Sequence, residues 1–326
     1  MRILIVKTSS MGDVVHALPL AADIARARPD ALIDWACEEA FAALPRMSPH
    51  VNEVRRVSLR RWRKQLLSPA MWNEVSRVRT KLRDARYDLV IDCQGLIKSA
   101  LVASWARAPV TGYDKRTVRE PLATRCYARS FDVPVDLPAV QRCRELGAHA
   151  LGYALEGPPR FDLKPTATPL AGIGEDTAVL LVNTSRASKL WPEERWIALG
   201  RWLTDRGLRS ILFWGAPEEA ERVRRLADAI PGAVVAPRSG LDVLGASLAR
   251  AHLVVGVDTG LTHLGAALGR PCVGIFCDYP IERVGLTGDG PVESLGGVGQ
   301  QPALEQVQTA CDRVLSRAAR ALQCGA

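Results

Sequence analysis

The stretch Leu253-Val254-Val255-Gly256-Val257-Asp258-Thr259-Gly260-Leu261-Thr262-His263-Leu264 constrains the fold more than any other part of the chain. Its apolar opening runs without polar alternation, the pattern of a parallel strand covered on both faces. Leu261, Leu264 and Leu268 then recur at helical spacing. A strand feeding directly into a helix leaves an open helix N-terminus at the corner, where unpaired N–H groups and partial positive charge favour an anion. Gly260 allows a pyrophosphate to approach the backbone closely, and Asp258 and His263 flank that position. The same corner is equally satisfied if Asp258 or Thr259 does no more than cap the helix.

The chain of 326 residues is long enough for two domains, each with its own core. With 48% hydrophobic and 24% charged residues it has a globular composition, and no run of apolar residues is long enough to span a membrane. Arg2 to Lys7 is too short for a signal-peptide core, so it reads as a first strand and a cytoplasmic residence is expected. Eight cysteines are scattered without a C-x-x-C pair, which indicates neither a zinc site nor a disulfide framework.

Charge is unevenly divided. Residues 1–160 carry 26 Lys and Arg against 17 Asp and Glu, whereas the remainder carries 17 against 18. The basic first half points to an anionic partner: nucleic acid, an acidic membrane surface or a phosphorylated substrate. An arginine-rich solvated surface without a partner would give the same count. Its densest part, Arg60-Arg61-Trp62-Arg63-Lys64, reads either as an anion-binding segment or as an exposed amphipathic helix anchored by Trp62. Stacking aromatics interleaved with the cations, or a known nucleic-acid module, are missing, so nucleic acid is not expected as the partner.

Strand and helix signals alternate through both halves. Strands are predicted at Arg2–Lys7, Ala31–Cys37, Val54–Val57, Asp88–Asp92 and Val110–Tyr113, with helices at Val14–Arg28, from Ser68-Pro69, through Ala106 and over Val140–Leu151. The pattern lapses between Gly152 and Ala178 in Gly157-Pro158-Pro159, Lys164-Pro165 and Thr168-Pro169, which marks a linker. It resumes with strands at Val179–Asn183, Ser210–Trp214, Ala233–Ala236, Leu253–Val257 and Cys272–Phe276, and ends in a helix over Ala303–Leu322. The expected fold class is therefore α/β, with two doubly wound parallel sheets. The expected organisation is an N-terminal domain over 1–160, a linker over 161–177, a C-terminal domain over 178–302 and a closing segment over 303–326.

In open parallel sheets ligands gather beyond the carboxyl ends of the strands, which places the loops Thr8–Asp13, Cys93–Lys98, Thr184–Lys189, Gly215–Glu219 and Asp258–His263 around the site, expected in a cleft between the domains. The first loop lacks G-x-G-x-x-G and no G-x-x-x-x-G-K-[ST] occurs, so dehydrogenase and P-loop chemistry are not indicated. No Asp-x-Asp pair is present to hold a metal-bound diphosphate, which leaves Lys189 and the helix end at Asp258-Thr259-Gly260 to neutralise one. Asp13, just after Gly12 at a helix start, can cap N–H groups; with Ser9 and Ser10 as alternative caps, it can instead serve as general base toward a substrate hydroxyl.

Several segments together resemble a known family. They are Lys7-Thr8-Ser9-Ser10-Met11-Gly12-Asp13-Val14, Arg60-Arg61-Trp62-Arg63-Lys64, Asp92 with Gln94-Gly95-Leu96 and Lys98-Ser99-Ala100, Arg119-Glu120-Pro121-Leu122-Ala123, Lys189 with Trp191-Pro192-Glu193-Glu194, Trp214-Gly215-Ala216-Pro217 and Val257-Asp258-Thr259-Gly260-Leu261. In order and across nearly the whole chain they are similar to the heptosyltransferase I group of the ADP-heptose:lipopolysaccharide heptosyltransferases. The second heptosyltransferase group has a different first loop and lacks the Arg-rich tryptophan motif.

The resemblance implies a GT-B fold of two Rossmann-like domains, an inverting and metal-independent transfer, ADP-L-glycero-β-D-manno-heptose as donor with no cofactor, and the inner Kdo of Kdo-lipid A as acceptor. It also implies a cytoplasmic enzyme peripheral to the inner face of the inner membrane, with its final helix crossing back to brace the first domain. Carried onto this sequence, it puts the catalytic base on Asp13 and leaving-group stabilisation on Lys189. Donor contacts fall on Thr184, Ser185, Lys189, Glu219, Ser239, Asp258, Thr259, Gly260 and His263. Acceptor contacts fall on Ser10, Gly12, Arg60, Arg61, Arg63, Lys64, Lys98 and Arg119. The chain departs from the family pattern at Ser185, where a second threonine is usual, at Ser239, where a methionine can line the adenine pocket, and at Pro138, which replaces a histidine. A relative with another acceptor, or a basic membrane-surface or nucleic-acid binding protein with a vestigial nucleotide site, are the alternatives to this reading.

Overall fold

A computed structural model describes residues 1–324, in two compact units that divide between Asp162 and Leu163. In the first unit, β1 (Arg2–Val6), β2 (Leu32–Glu38), β3 (Glu53–Val57), β4 (Leu89–Asp92), β5 (Val110–Tyr113) and β6 (Arg129–Phe131) form one six-stranded sheet in the order β3-β2-β1-β4-β5-β6. All of its pairings are parallel. Its helices are α1 (Met11–Ala27), α2 (Ala43–Arg46), α3 (Leu59–Trp62), α4 (Pro69–Asp84), α5 (Ile97–Ser104) and α6 (Ala139–Leu151).

The second unit repeats the plan. Strands β7 (Thr177–Leu181), β8 (Arg209–Leu212), β9 (Val234–Val235), β10 (Leu253–Val257), β11 (Cys272–Phe276) and β12 (Val292–Gly296) form a second six-stranded sheet in the order β12-β11-β10-β7-β8-β9. Its helices are α7 (Glu193–Thr204), α8 (Pro217–Ala229), α9 (Leu241–Leu248), α10 (Gly260–Ala267), α11 (Ile281–Val284) and α12 (Leu304–Cys324). Counted within each unit, both orders are the doubly wound one, with the strand sequence reversing direction between β1 and β4 in the first sheet and between β7 and β10 in the second. Those reversals leave a crevice beyond the carboxyl ends of the two strands, where no helix crosses over.

The continuous apolar strands are buried throughout: every residue of β7, β10 and β11 is inaccessible, as helices on both faces require. Gly256 in β10 has a packing cause, since a Cβ there would lie 2.2 Å from Thr262 Oγ1 on α10. In the first unit α1 and α6 pack side by side and share a buried ion pair in which Arg144 donates to both carboxylate oxygens of Asp23 at 2.7 and 3.2 Å.

Two strands, β6 and β12, fall where no strand is predicted. β6 has three residues at the sheet edge, and β12, Val292-Glu293-Ser294-Leu295-Gly296, is half-buried and too polar for an apolar-run signal. The stretch read as linker is partly structured: Phe161 is buried in the first unit, and Thr177 already belongs to β7. The last helix starts one residue later than predicted and sinks Val307, Ala310, Cys311 and Val314 into the core of the second unit. Among the described residues no helix is long and apolar enough to cross a membrane.

Candidate functional site

At the reversal of the first sheet the chain leaves β1 as Lys7-Thr8-Ser9-Ser10 and enters α1, while it leaves β4 as Cys93-Gln94-Gly95 and enters α5. The two loops are tied together. Gln94 Oε1 accepts from Thr8 N at 2.6 Å and from Thr8 Oγ1 at 2.7 Å, and Lys7 Nζ donates to the Cys93 carbonyl at 2.8 Å. Gly95 sits at φ +70°, with Val118 Cγ2 2.9 Å from where a Cβ would be, so the turn demands glycine. Beneath it the fully buried Asp92 accepts from Gln94 N, Gly95 N, Ser99 Oγ and Tyr127 OH. Burial raises the Asp92 carboxyl above its ordinary value in spite of these four donors.

Asp13 stands in the first turn of α1 and uses its two oxygens differently. Oδ2 accepts from Ser10 N at 3.0 Å and Ser10 Oγ at 2.9 Å, which is the capping role. Oδ1 faces Arg119 Nη2 at 2.8 Å and Lys7 Nζ at 3.9 Å. One Asp13 oxygen therefore caps the helix while the other faces two cations. Burial opposes the charge on Asp13, but Lys7, Arg119 and the two Ser10 bonds outweigh it and hold the carboxyl well below the usual carboxylate range. Lys98 Nζ approaches Ser9 Oγ at 3.5 Å, so Ser10, Gly12, Asp13, Lys98 and Arg119 come together as predicted site neighbours.

The basic run divides. Trp62 is buried and packs on Trp105 at 6.3 Å between ring centroids, the anchoring role foreseen for it. Arg60 donates its backbone N–H to Glu38 Oε1 at 3.1 Å and lies 5.6 Å from the Phe41 ring. Burial raises the Glu38 carboxyl, partly offset by Arg60 and Lys98, which links Arg60 to the same neighbourhood as Lys98. Arg61 is committed to Glu74 at 2.7 Å, and Arg63 and Lys64 are exposed.

At the reversal of the second sheet, Lys189 Nζ meets Asp258 Oδ2 at 2.5 Å and lies 4.5 Å from the centre of the Tyr279 ring. The other Asp258 oxygen is 3.4 Å from His263 Nε2, and Thr184 Oγ1 donates to the Asp258 carbonyl at 3.0 Å. Burial works against the Asp258 charge, but His263 and Lys189 prevail and keep its carboxyl below the ordinary value. Thr259 is the N-cap residue of α10 with no side-chain cap bond, so the amide end of that helix at Gly260 opens beside Lys189. Such an end, a cation and a hydroxyl make an anion cradle.

Three predicted donor residues make other contacts or face solvent. Ser185 is exposed, Ser239 Oγ donates to the Pro237 carbonyl at 3.0 Å, and Glu219 Oε2 accepts from Gly215 N at 2.8 Å and Ala216 N at 3.2 Å at the start of α8. Lys7, Glu38, Gln94 and Tyr279 had no role assigned from sequence. Lys7 and Gln94 were nevertheless visible as polar residues where buried strands end, at the edge expected to carry ligands.

Two parallel sheets in one chain, each with polar loops gathered at its reversal point, are the architecture of the two-sheet glycosyltransferases. Residues 75–310 match the model of glycosyltransferase family 9 (heptosyltransferase), and the chain belongs to this family. It is 43% identical to the lipopolysaccharide heptosyltransferase 1 of Pseudomonas aeruginosa over 85% of this chain and 78% of that protein. It is 41% identical to the lipopolysaccharide heptosyltransferase 1 of Escherichia coli over 95% of this chain and the whole of that protein. Among solved structures, the E. coli heptosyltransferase WaaC with ADP-2-deoxy-2-fluoro heptose superposes with a TM-score of 0.83 at 38% identity, covering 100% of both chains.

Proposed function

We propose that this chain transfers L-glycero-D-manno-heptose from ADP-L-glycero-β-D-manno-heptose to the inner Kdo of Kdo-lipid A in lipopolysaccharide core assembly, with inversion and without a metal ion. The relatives named lipopolysaccharide heptosyltransferase 1 and the E. coli structure holding an ADP-heptose analogue support donor and acceptor. The observation that carries the chemistry is Asp13: a carboxylate kept ionised at a sheet reversal, its Oδ1 facing Lys7 from the loop after β1 and Arg119 from the segment after β5.

In this reading Asp13 Oδ1 takes the proton of the Kdo hydroxyl as that oxygen bonds to the anomeric carbon. The bond from that carbon to the ADP oxygen breaks on the opposite face, so configuration inverts in one displacement. The charge left on the diphosphate meets Lys189 and the N-terminus of α10, which supply the positive field that a metal supplies in other nucleotide-sugar enzymes. Asp258 and His263 orient Lys189, and Thr184 completes the cradle. Arg119, Lys98 and Arg60, with Arg61, Arg63 and Lys64 further out, receive the Kdo carboxylates and lipid A phosphates. The basic first unit then works against the anionic inner face of the inner membrane, with no nucleic-acid partner.

An assay of purified protein with ADP-heptose and Kdo-lipid A in the presence of a chelator tests this directly. ADP release matched by heptosylated Kdo-lipid A, unchanged by chelator, is the expected result. Transfer only to an already heptosylated acceptor would replace the acceptor assignment, and loss of turnover on chelation would overturn the metal-free mechanism.

A further inference from the structure

Between α3 and α4 the chain turns over Arg63-Lys64-Gln65-Leu66-Leu67-Ser68, and this turn presents apolar side chains to solvent. Leu67 is 99% exposed, Leu66 57% and Trp72, in the first turn of α4, 55%. The turn is well built. Gln65 N donates to the Trp62 carbonyl at 3.0 Å, Ser68 N to the Gln65 carbonyl at 2.9 Å, and Ser68 Oγ caps α4. The Trp72 indole N–H donates to the Leu66 carbonyl at 2.8 Å, which spends its polar atom inside the turn and leaves the ring's apolar faces outside. While Trp62 points into the core, Leu66, Leu67 and Trp72 point out as one apolar tip.

The tip has a charged collar. Arg60, Arg63 and Lys64 are exposed immediately before it, and the nearby acid Glu74 is already paired with Arg61. An apolar tip within a cationic collar matches a bilayer whose headgroups are anionic and whose acyl region starts just beneath them. An apolar protein groove would accept the leucines but offer nothing to the collar.

We propose that Leu66, Leu67 and Trp72 insert into an anionic lipid bilayer, held there by Arg60, Arg63 and Lys64. This rests on the membrane-surface reading above and assigns it to one turn. The bilayer itself is the occupant, independently of any acceptor molecule. Docking there brings the basic loops of the first unit to the headgroup layer, where a lipid-anchored acceptor presents its sugar.

The test is flotation of the full chain with vesicles of phosphatidylethanolamine and phosphatidylglycerol that contain no lipid A, against vesicles of phosphatidylcholine. Binding to the anionic vesicles, weakened by salt, is expected from the wild type. The double variant Leu66→Ser/Leu67→Ser is expected to bind at least about tenfold more weakly while keeping its melting temperature. Trp72 is the one exposed tryptophan among the protein's eight, so brominated acyl chains should quench fluorescence in the wild type and much less in Trp72→Phe. Transfer to a deacylated, soluble Kdo acceptor should be unchanged in the double variant.

Equal vesicle binding by wild type and double variant, or quenching that survives Trp72→Phe, would overturn this assignment while leaving membrane association in place. A wild type that does not bind anionic vesicles would overturn both, and turnover on the soluble acceptor would still stand or fall by itself. A sedimentation mass that falls on Leu66→Ser/Leu67→Ser would show that a second copy covers the tip, which also overturns the proposal.

Discussion

Arg119 Nη2 lies 2.8 Å from Asp13 Oδ1, while Ser10 occupies the other carboxylate oxygen. One side chain thus serves the helix cap with one atom and turns the other to a cation, the atom proposed above as the base. Replacing Asp13 by Asn keeps the shape and most of the cap but removes the proton acceptor. Turnover should fall by roughly 10²- to 10⁴-fold, the usual worth of a positioned general base. ADP-heptose affinity by calorimetry should stay near wild type, because the proposed donor contacts are residues of the second unit. Near-normal turnover in Asp13→Asn would remove it as the base.

The pairing has a consequence for pH. The Asp13 carboxyl is depressed in the folded state, so its contribution to stability is fully present above the ordinary carboxylate value and is lost as pH falls through the lower folded value. A carboxylate held so low is a weak base, and an acceptor that draws the half-exposed Arg119 onto its own anionic group would strengthen it. In Arg119→Ala, where Lys7 remains, the acid limb of kcat/KM should move to higher pH. A limb that does not move would mean that Arg119 leaves Asp13 untuned.

Lys189 meets Asp258 at 2.5 Å beside the open end of α10, where the proposed function puts the diphosphate. A hydrogen bond to a charged group contributes roughly 1.5 to 3 kcal/mol. Lys189→Ala should therefore weaken ADP binding by about ten- to a hundredfold and lower turnover as well, with Lys189→Arg recovering part of the binding. Wild-type ADP affinity in Lys189→Ala would show that the diphosphate lies elsewhere.

The sequence carried the frame further than the details. Uninterrupted apolar runs identified β4, β7, β10 and β11 because buried parallel strands leave no alternation to misread, and the doubly wound arrangement followed from their spacing. Edge strands β6 and β12 escaped because a half-buried edge tolerates Arg129, Glu293 and Ser294. At the site, Asp13, Lys189, Asp258 and His263 were legible from their places at strand ends. Glu219 Oε2 accepts from Gly215 N and Ala216 N at the start of α8, an orientation that nothing in the one-dimensional pattern discloses. Gln94 escaped for a related reason: its partner Thr8 is 86 residues away, so only the sheet order brings them together.

That Gln94 contact supports the last prediction. Its buried Oε1 accepts both the backbone and hydroxyl donors of Thr8 and so fixes the loop from which Asp13 projects. Gln94→Ala leaves three buried donors, Thr8 N, Thr8 Oγ1 and the more distant Ser9 N, without their acceptor, at a cost of about 1–3 kcal/mol. Thermal unfolding should shift down by several degrees. If the clamp also positions the base, kcat should fall with little change in the KM for ADP-heptose, and Gln94→Glu, which keeps an acceptor at the same reach, should recover part of the turnover. A melting shift with wild-type kcat would show that Gln94 only stabilises the fold and that Asp13 holds its position through Ser10, Lys7 and Arg119 alone.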